Sequence, residues 1–179
     1  MCLLLLGSNA LAQDVVDLAA SLIGRPYQWG AEGPDAFDCS GLTQFVYQEF
    51  GVDLPRRAIS QASIGGPAGR RLQRGDLLFF STDSRRSVVT HVGLYEGDGI
   101  MIDASKRHGR VRRDSLMDAY WVERFMFGRR VTQWAGGGDI PDQSADRTID
   151  LPRPSSNRRR TAVLVLERVA DILLRRPRR

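Results

Sequence analysis

The hydrophobic pattern changes period once along the chain. In "DVVDLAASLIGRPY" the pairs Val15/Val16, Leu18/Ala19 and Leu22/Ile23 recur at helical spacing. Asp14 is placed to cap that helix, and Gly24 with Pro26 stops it. A Gly/Pro/Asp loop, "AEGPDAFD", leads to a second helix whose apolar face is Leu42, Phe45, Val46 and Phe50, with Gly51 closing it and Pro55 beyond. From residue 76 the apolar runs become short, bulky and bounded by turn residues: "DLLFFS" (76–81), "VVTHVGLYE" (88–96) and "GIMIDAS" (99–105). These read as strands, and "RVRRDS" and "WVERFMFGRRV" as two more. Helices first and a run of antiparallel strands afterwards is the α+β arrangement, here with N-terminal helices packed on a sheet of about five strands.

The pattern breaks down at both ends. "MCLLLLGSNALAQD" has an apolar run, Cys2 to Leu6, then Ala10-Leu11-Ala12 before Gln13, which resembles the end of a secretory signal with an A-x-A cleavage site but without the cationic first part; the alternative is a buried strand or helix start. Residues 1–12 are therefore read as a signal-peptide remnant and 13–132 as the globular domain. From Gln133 the chain turns rich in Gly, Pro, Ser and charge, so 133–160 reads as a flexible linker. Residues 161–179 resume as an amphipathic helix, "TAVLVLERVADILL", ending in Arg175, Arg176, Arg178 and Arg179. Fourteen residues cannot span a bilayer, which takes roughly 20. Two readings stand for this tail: contact with an anionic membrane surface or wall polymer, and docking on its own domain or on another protein.

Charge narrows the classes of partner. The 179-residue chain carries 26 basic and 21 acidic side chains, a net of +5. Residues 1–132 hold 16 basic and 15 acidic groups and residues 133–179 hold 10 and 6, so the excess sits in the tail. A nearly neutral domain lacks the clustered cations that a nucleic-acid groove needs, so nucleic acid is not an expected partner.

Candidate chemistry centres on "DCSG". If cleavage follows Ala12, Cys39 is the sole cysteine and has no internal disulfide partner. At the first turn of a helix its thiol faces unpaired backbone N–H groups and the positive end of the helix dipole, which favour a thiolate. The same N–H groups can hold an oxyanion. The competing reading is a small buried hydrophobe. Of the two histidines, His91 lies in a strand, beside Gly93 on one face, while His108 sits in the basic turn "SKRHGR" and reads as solvated. Asp103, twelve residues after His91, lies among Ile, Met and Ala, where a carboxylate needs a partner. A three-residue hairpin loop centred on Gly97 sets His91 against Asp103; a two-residue loop at Gly97-Asp98 sets His91 against Ala104. The alternative for Asp103 is a strand-edge carboxylate bound to backbone N–H groups or an Arg. Two His and one Cys without zinc spacing give no metal site, and no cofactor is expected.

"DCSGL", "THVGLY" and "MIDAS", with "RPYQWG" upstream and "LQRGDLLFF" between, together resemble the NlpC/P60 family of cell-wall cysteine peptidases over roughly residues 13–131. The resemblance implies a papain-like core. It also implies hydrolysis of peptidoglycan stem peptides in the periplasm or outside the cell, commonly between γ-linked D-glutamate and a diamino acid. Carried over by position, it makes Cys39 the nucleophile and His91 the general base and acid. Asp103 then stands where the family places a third polar residue, most often a second histidine. Tyr27 matches a tyrosine beside the thiol that can donate to the oxyanion, against a plain packed aromatic. Asp38 and Ser40 match positions that help recognise the amino end of the stem, against simple helix capping. "LPRRAISQ" resembles the following loop, with Arg56 and Ser60 as rim contacts, and Asp76 reads as a turn residue without chemistry. A thiol amidase or acyltransferase on the same scaffold, and a catalytically silent wall-binding module, are the competing functions.

Overall fold

The computed structural model describes residues 15–69, 71–83 and 87–132. The readings made for the signal remnant 1–12, the linker 133–160 and the tail helix 161–179 lie outside the described residues.

The first helix, α1, covers 15–21 and buries Val15, Val16 and Ala19 completely. Gly24, at φ 96°, turns the chain beyond it. Helix α2 (Cys39–Gln48) starts where Asp38, in extended conformation, accepts the Gly41 N–H on its side chain. Such a cap is worth about 1 kcal/mol. Its buried face is turned from the expected one: Ser40, Gly41, Leu42, Thr43, Val46 and Tyr47 are inside, while Phe45 and Phe50 are only half-buried. The small first turn explains the rotation. A Cβ on Gly41 would fall on the Ala31 carbonyl oxygen, so α2 can press its start against the preceding loop only without one. Tyr47 then enters the core and donates its hydroxyl to the Gly75 carbonyl at 2.6 Å. Burying Leu42, Val46 and Tyr47 contributes about 1.5–3 kcal/mol each. A short helix, α3 (Ala58–Gln61), follows.

The sheet is antiparallel throughout: β1 (Gly66–Pro67), β2 (Leu77–Phe80), β3 (His91–Gly97), β4 (Ile100–Ser105), β5 (Arg110–Ser115) and β6 (Phe125–Arg130), in the order β1-β6-β2-β3-β4-β5. The sixth strand is the two-residue β1, whose Gly-Pro sequence gives no strand signal and which pairs only through Arg129 and Arg130. Trp121 and Val122, expected in the last strand, instead belong to a one-turn helix α4 (Ala119–Val122) capped by the Asp118 carboxylate, which accepts the Tyr120 N–H at 2.7 Å. Both faces of the sheet are covered. Leu77, Phe79, Val92, Leu94, Ile102 and Ala104 pack under the helices. Leu78, Phe80, Tyr95, Met101, Leu116 and Trp121 form a second cluster. Burial on both faces is why "LLFF" shows no alternation.

The β3–β4 register differs from both hairpins expected. Gly97 pairs with Ile100 around a two-residue Asp98-Gly99 turn, with φ 49° and 76° as a type I′ turn requires. A bulge at Glu96 then shifts the ladder, so Tyr95 faces Met101 and Leu94 faces Ile102. Continued along the strands, this register sets Asp103 opposite Gly93 and His91 opposite Ser105. His91 and Asp103 are thus diagonal neighbours on one face. Gly93 makes the diagonal usable: a Cβ there would stand 3.4 Å from the Asp103 Cβ and 2.9 Å from the Met101 Sδ.

Candidate active site

The site forms where the start of α2 meets the end of β3. Cys39 occupies the first helical position and is half-buried. Its thiol is in hydrogen-bonding contact with the His91 ring and with the Val92 N–H. Burial pushes this thiol up and the Asp38 charge adds to that, but His91 and the Val92 N–H outweigh both, so it ionises below an ordinary cysteine.

His91 is buried at the first position of β3, opposite Phe80. Its ring stacks on the Trp121 indole, centroids 5.1 Å apart and planes 24° apart. Its Nε2 stands 2.9 Å from Asp103 Oδ2, a charge contact that lacks hydrogen-bond alignment. That leaves the Nδ1 edge to face the thiol. Burial alone would depress this imidazole; the Cys39 charge and the Asp103 carboxylate reverse the sign and raise it to about 10. The described site therefore favours a thiolate–imidazolium pair.

Tyr27 arrives from the loop between α1 and α2. That loop is stitched along the free edge of β5: Gly24 N–H donates to Val111 O at 2.9 Å, Val111 N–H to Arg25 O at 2.8 Å and Tyr27 N–H to Gly109 O at 2.8 Å. Phe37 N–H reaches back to Pro26 O at 3.0 Å, which brings "RPY" alongside "FDC". Burial, then the neighbouring Cys39 and Asp38, push the Tyr27 hydroxyl up to about 12, so it stays a proton donor at neutral pH.

Asp38 is fully engaged within the protein. Its Oδ1 accepts from the Gly41 N–H at 2.7 Å and from Arg56 Nη1 at 3.0 Å. Its Oδ2 accepts from the Gly30 N–H at 3.0 Å and from Arg56 Nη2 at 2.6 Å. Burial opposes ionisation, but Arg56 and the two backbone donors hold this carboxyl below its ordinary range. Ser40 Oγ donates to Asp38 Oδ1 at 3.2 Å and accepts from Arg56 Nη1 at 3.0 Å, and Arg56 Nε also pairs with Glu32 at 2.9 Å. The structure thus joins Cys39, His91 and Asp103 in one chain, sets Tyr27 beside the thiol, and gathers Asp38, Ser40 and Arg56 into a clamp below it. Ser60 instead offers its carbonyl to the Ser63 hydroxyl at 2.8 Å, and exposed His108 bonds Ser105 Oγ through Nδ1 at 3.0 Å.

Three neighbours escaped the sequence reading. Trp121 was hidden because "YWVERF" looks like strand, although Asp118 before it is a helix-cap residue. The Val92 N–H carries no side-chain signal. Asp114, buried in β5 behind Asp103, could have been noticed as a carboxylate two positions from Arg112 on the inward face of a strand.

With this geometry in hand, the likenesses to known proteins are informative. The chain is 48% identical over 93 residues to a probable endopeptidase of Corynebacterium glutamicum, covering 51% of this chain and 42% of that protein. It is 33% identical over 120 residues to the gamma-D-glutamyl-L-lysine dipeptidyl-peptidase of Bacillus cereus, covering 66% and 36%. The solved structure of the peptidoglycan hydrolase RipB from Mycobacterium tuberculosis superposes with a TM-score of 0.58 at 30% identity, covering 72% of this chain and 68% of that one. The chain spans about two fifths of the length of the curated relatives it matches. The model of the NlpC/P60 family matches residues 24–130, which takes in the thiol, the imidazole, Asp103, Asp114 and the whole sheet, and this chain is a member of that family.

Proposed function

We propose that the protein is a cysteine endopeptidase that cleaves peptidoglycan stem peptides in the cell envelope, at the bond between γ-linked D-glutamate and a diamino acid. The observation that carries the reading is the contact chain from Cys39 at the start of α2 to His91 and on to Asp103, buried on a family scaffold whose relatives include the gamma-D-glutamyl-L-lysine peptidase. The Cys39 thiolate attacks the scissile carbonyl carbon. The developing oxyanion is received by the helix-start N–H and the Tyr27 hydroxyl. The His91 imidazolium gives its proton to the departing amine as the C–N bond breaks, which leaves a thioester on Sγ. Neutral His91 then takes a proton from water as its oxygen attacks the thioester, and the thiolate leaves with the imidazolium restored. Asp103 holds the imidazole edge-on and favours its charged state. Asp38 and Ser40 act with Arg56 at the substrate side, where the clamp fixes the loop that receives the stem.

The test is mass spectrometry of purified muropeptides incubated with the full chain and with Cys39→Ala. Cleavage by the first alone is expected, with product masses that place the cut after D-glutamate. Intact muropeptides in both reactions would point to a wall-binding module, and products of transfer rather than hydrolysis to an acyltransferase.

A further inference from the structure

Behind the His91–Asp103 contact lies a second carboxylate that the mechanism above does not use. In the β4–β5 ladder Asp103 faces Arg112 and Met101 faces Asp114, so the two aspartates are diagonal neighbours on one face of the sheet. Asp103 is completely buried and Asp114 is 7% exposed. On that shared face the Asp103 charge acts directly on Asp114. Arg112 Nε holds Asp114 Oδ1 at 2.9 Å, but Asp114 Oδ2 and both oxygens of Asp103 have no hydrogen bond. Asp103 Oδ2 has its charge contact with His91 Nε2 at 2.9 Å, which leaves Asp103 Oδ1 and Asp114 Oδ2 without a partner, and two buried acceptors on one face are costly because carboxylates have nothing to donate.

Charge points the same way. The groups that meet here are Cys39 from α2, His91 from β3, Asp103 from β4, Arg112 and Asp114 from β5, and His108 from the β4–β5 turn. With thiolate, imidazolium, guanidinium and two carboxylates all ionised, the five groups contributed by α2 and the three strands sum to −1, while His108 lies exposed in the turn outside them. One proton brings it to zero, and a proton between the carboxylates gives an acceptor its missing donor.

We propose that Asp103 and Asp114 share one proton, so that Asp114 is a positioning residue: as a carboxylic acid it donates from Oδ2 to Asp103 and turns the remaining Asp103 oxygen toward His91. Asp103 is then gripped from both sides, by the acid proton and by the imidazolium, while the buried pair keeps a single negative charge to match His91. Two carboxylates in contact cannot both ionise cheaply, and the pair titrates as a unit. Burial and the Asp103 charge both push Asp114 above the ordinary carboxylate range, which agrees with this placement of the proton.

The inference rests on the reading of Asp103 as the residue that orients His91, so its test is kept apart from turnover. In the full chain labelled with carbon-13 at aspartate carboxyls, one carboxyl resonance should stay protonated through pH 5 and titrate above it, beyond the usual spread about 3.9. That step should disappear in Asp114→Asn, and in Asp103→Asn it should move to lower pH, because the Asp103 charge is gone while burial still holds Asp114 up. Every aspartate in the native chain ionising below about pH 5 would overturn the proposal, whatever the muropeptide assay shows. Conversely, the high step without muropeptide cleavage would leave the shared proton standing and sink only the assigned activity. Thiol reactivity gives the positional readout. Asp114→Leu should slow Cys39 alkylation at neutral pH by about tenfold, one unit of differential stabilisation, and Asp114→Asn, which supplies an N–H donor without the titration, should restore most of it. Equal losses in Leu and Asn variants that both remain folded would also overturn the proposal.

Discussion

Asp103 acts on His91 by charge as much as by shape, and the sign of its effect can be read from pH. The thiolate–imidazolium form builds as pH rises through the lowered thiol value and is lost as pH rises through the imidazole value of about 10. Asp103→Asn keeps the volume but removes the negative charge that helps raise His91. The alkaline limb of turnover, which needs the imidazolium as acid, should therefore move to lower pH by about one unit, narrowing the active window from above. An unmoved alkaline limb would show that Asp103 plays no part in the charge balance. Cys39 and His91 were legible in the sequence because each carries a local mark, a thiol at a helix cap and an imidazole beside a glycine in a strand. Asp114, Trp121 and the Val92 N–H were not, because their meaning depends on which strand and which turn lie next to them. A buried carboxylate announces a missing partner, but the sequence does not say whether the partner is an arginine, a histidine or another carboxylate.

Elements position the site through two glycines, and the two should respond differently to an added methyl. At Gly41 the obstacle is the Ala31 backbone carbonyl, held by the Ala31 N–H to Gln28 O bond at 3.1 Å and by the Asp38 N–H donating to Ala31 O at 2.9 Å. At Gly93 the first obstacle is the Met101 thioether, the far end of a flexible side chain. Gly41→Ala is expected to cost about 2–3 kcal/mol and to lift the helix start from its loop, lowering Cys39 reactivity with it. Gly93→Ala should cost about 1 kcal/mol or less in stability, because Met101 can turn aside. Urea unfolding midpoints of the two variants test the ranking, and a Gly93→Ala cost at or above that of Gly41→Ala would contradict it. The same comparison shows how far elements could be read in advance. Helical periodicity located α1 and α2, because their apolar faces are long enough to repeat, and short runs bounded by turn residues located the five longer strands. It missed the rotation of α2, which is set by the absence of a Cβ at one position. The hairpin register was missed for a similar reason: Asp98-Gly99 takes the positive φ pair, and the bulge at Glu96 moves the ladder by a residue.

At the scale of the molecule, the sheet is locked at the end away from the thiol. Asp76 precedes β2, whose far end, Phe80, pairs with His91. Nearly fully buried, Asp76 accepts Arg130 Nε at 2.8 Å and Nη2 at 2.9 Å, and also the Gln73 N–H at 2.7 Å. The same guanidinium reaches the Ala68 and Arg71 carbonyls at 3.1 Å each, so one side chain ties β6 to β2 and to the segment after β1. Asp76, read from the sequence as a turn residue, thus has a definite structural task. Removing the cation strands a buried carboxylate, which typically costs 3–5 kcal/mol; removing both charges lets apolar groups fill the space at much less cost. Arg130→Met should therefore lower the unfolding free energy by about 3 kcal/mol, and Asp76→Leu/Arg130→Met should recover a good part of that loss. In the folded fraction of either variant, the pH profile of Cys39 alkylation should match that of the unaltered chain, since neither residue touches the thiol, the imidazole or the two aspartates. A shifted profile would mean that the far end of the sheet sets the site's electrostatics, and a double variant no more stable than the single would mean that the guanidinium's carbonyl contacts, rather than the ion pair, close the sheet.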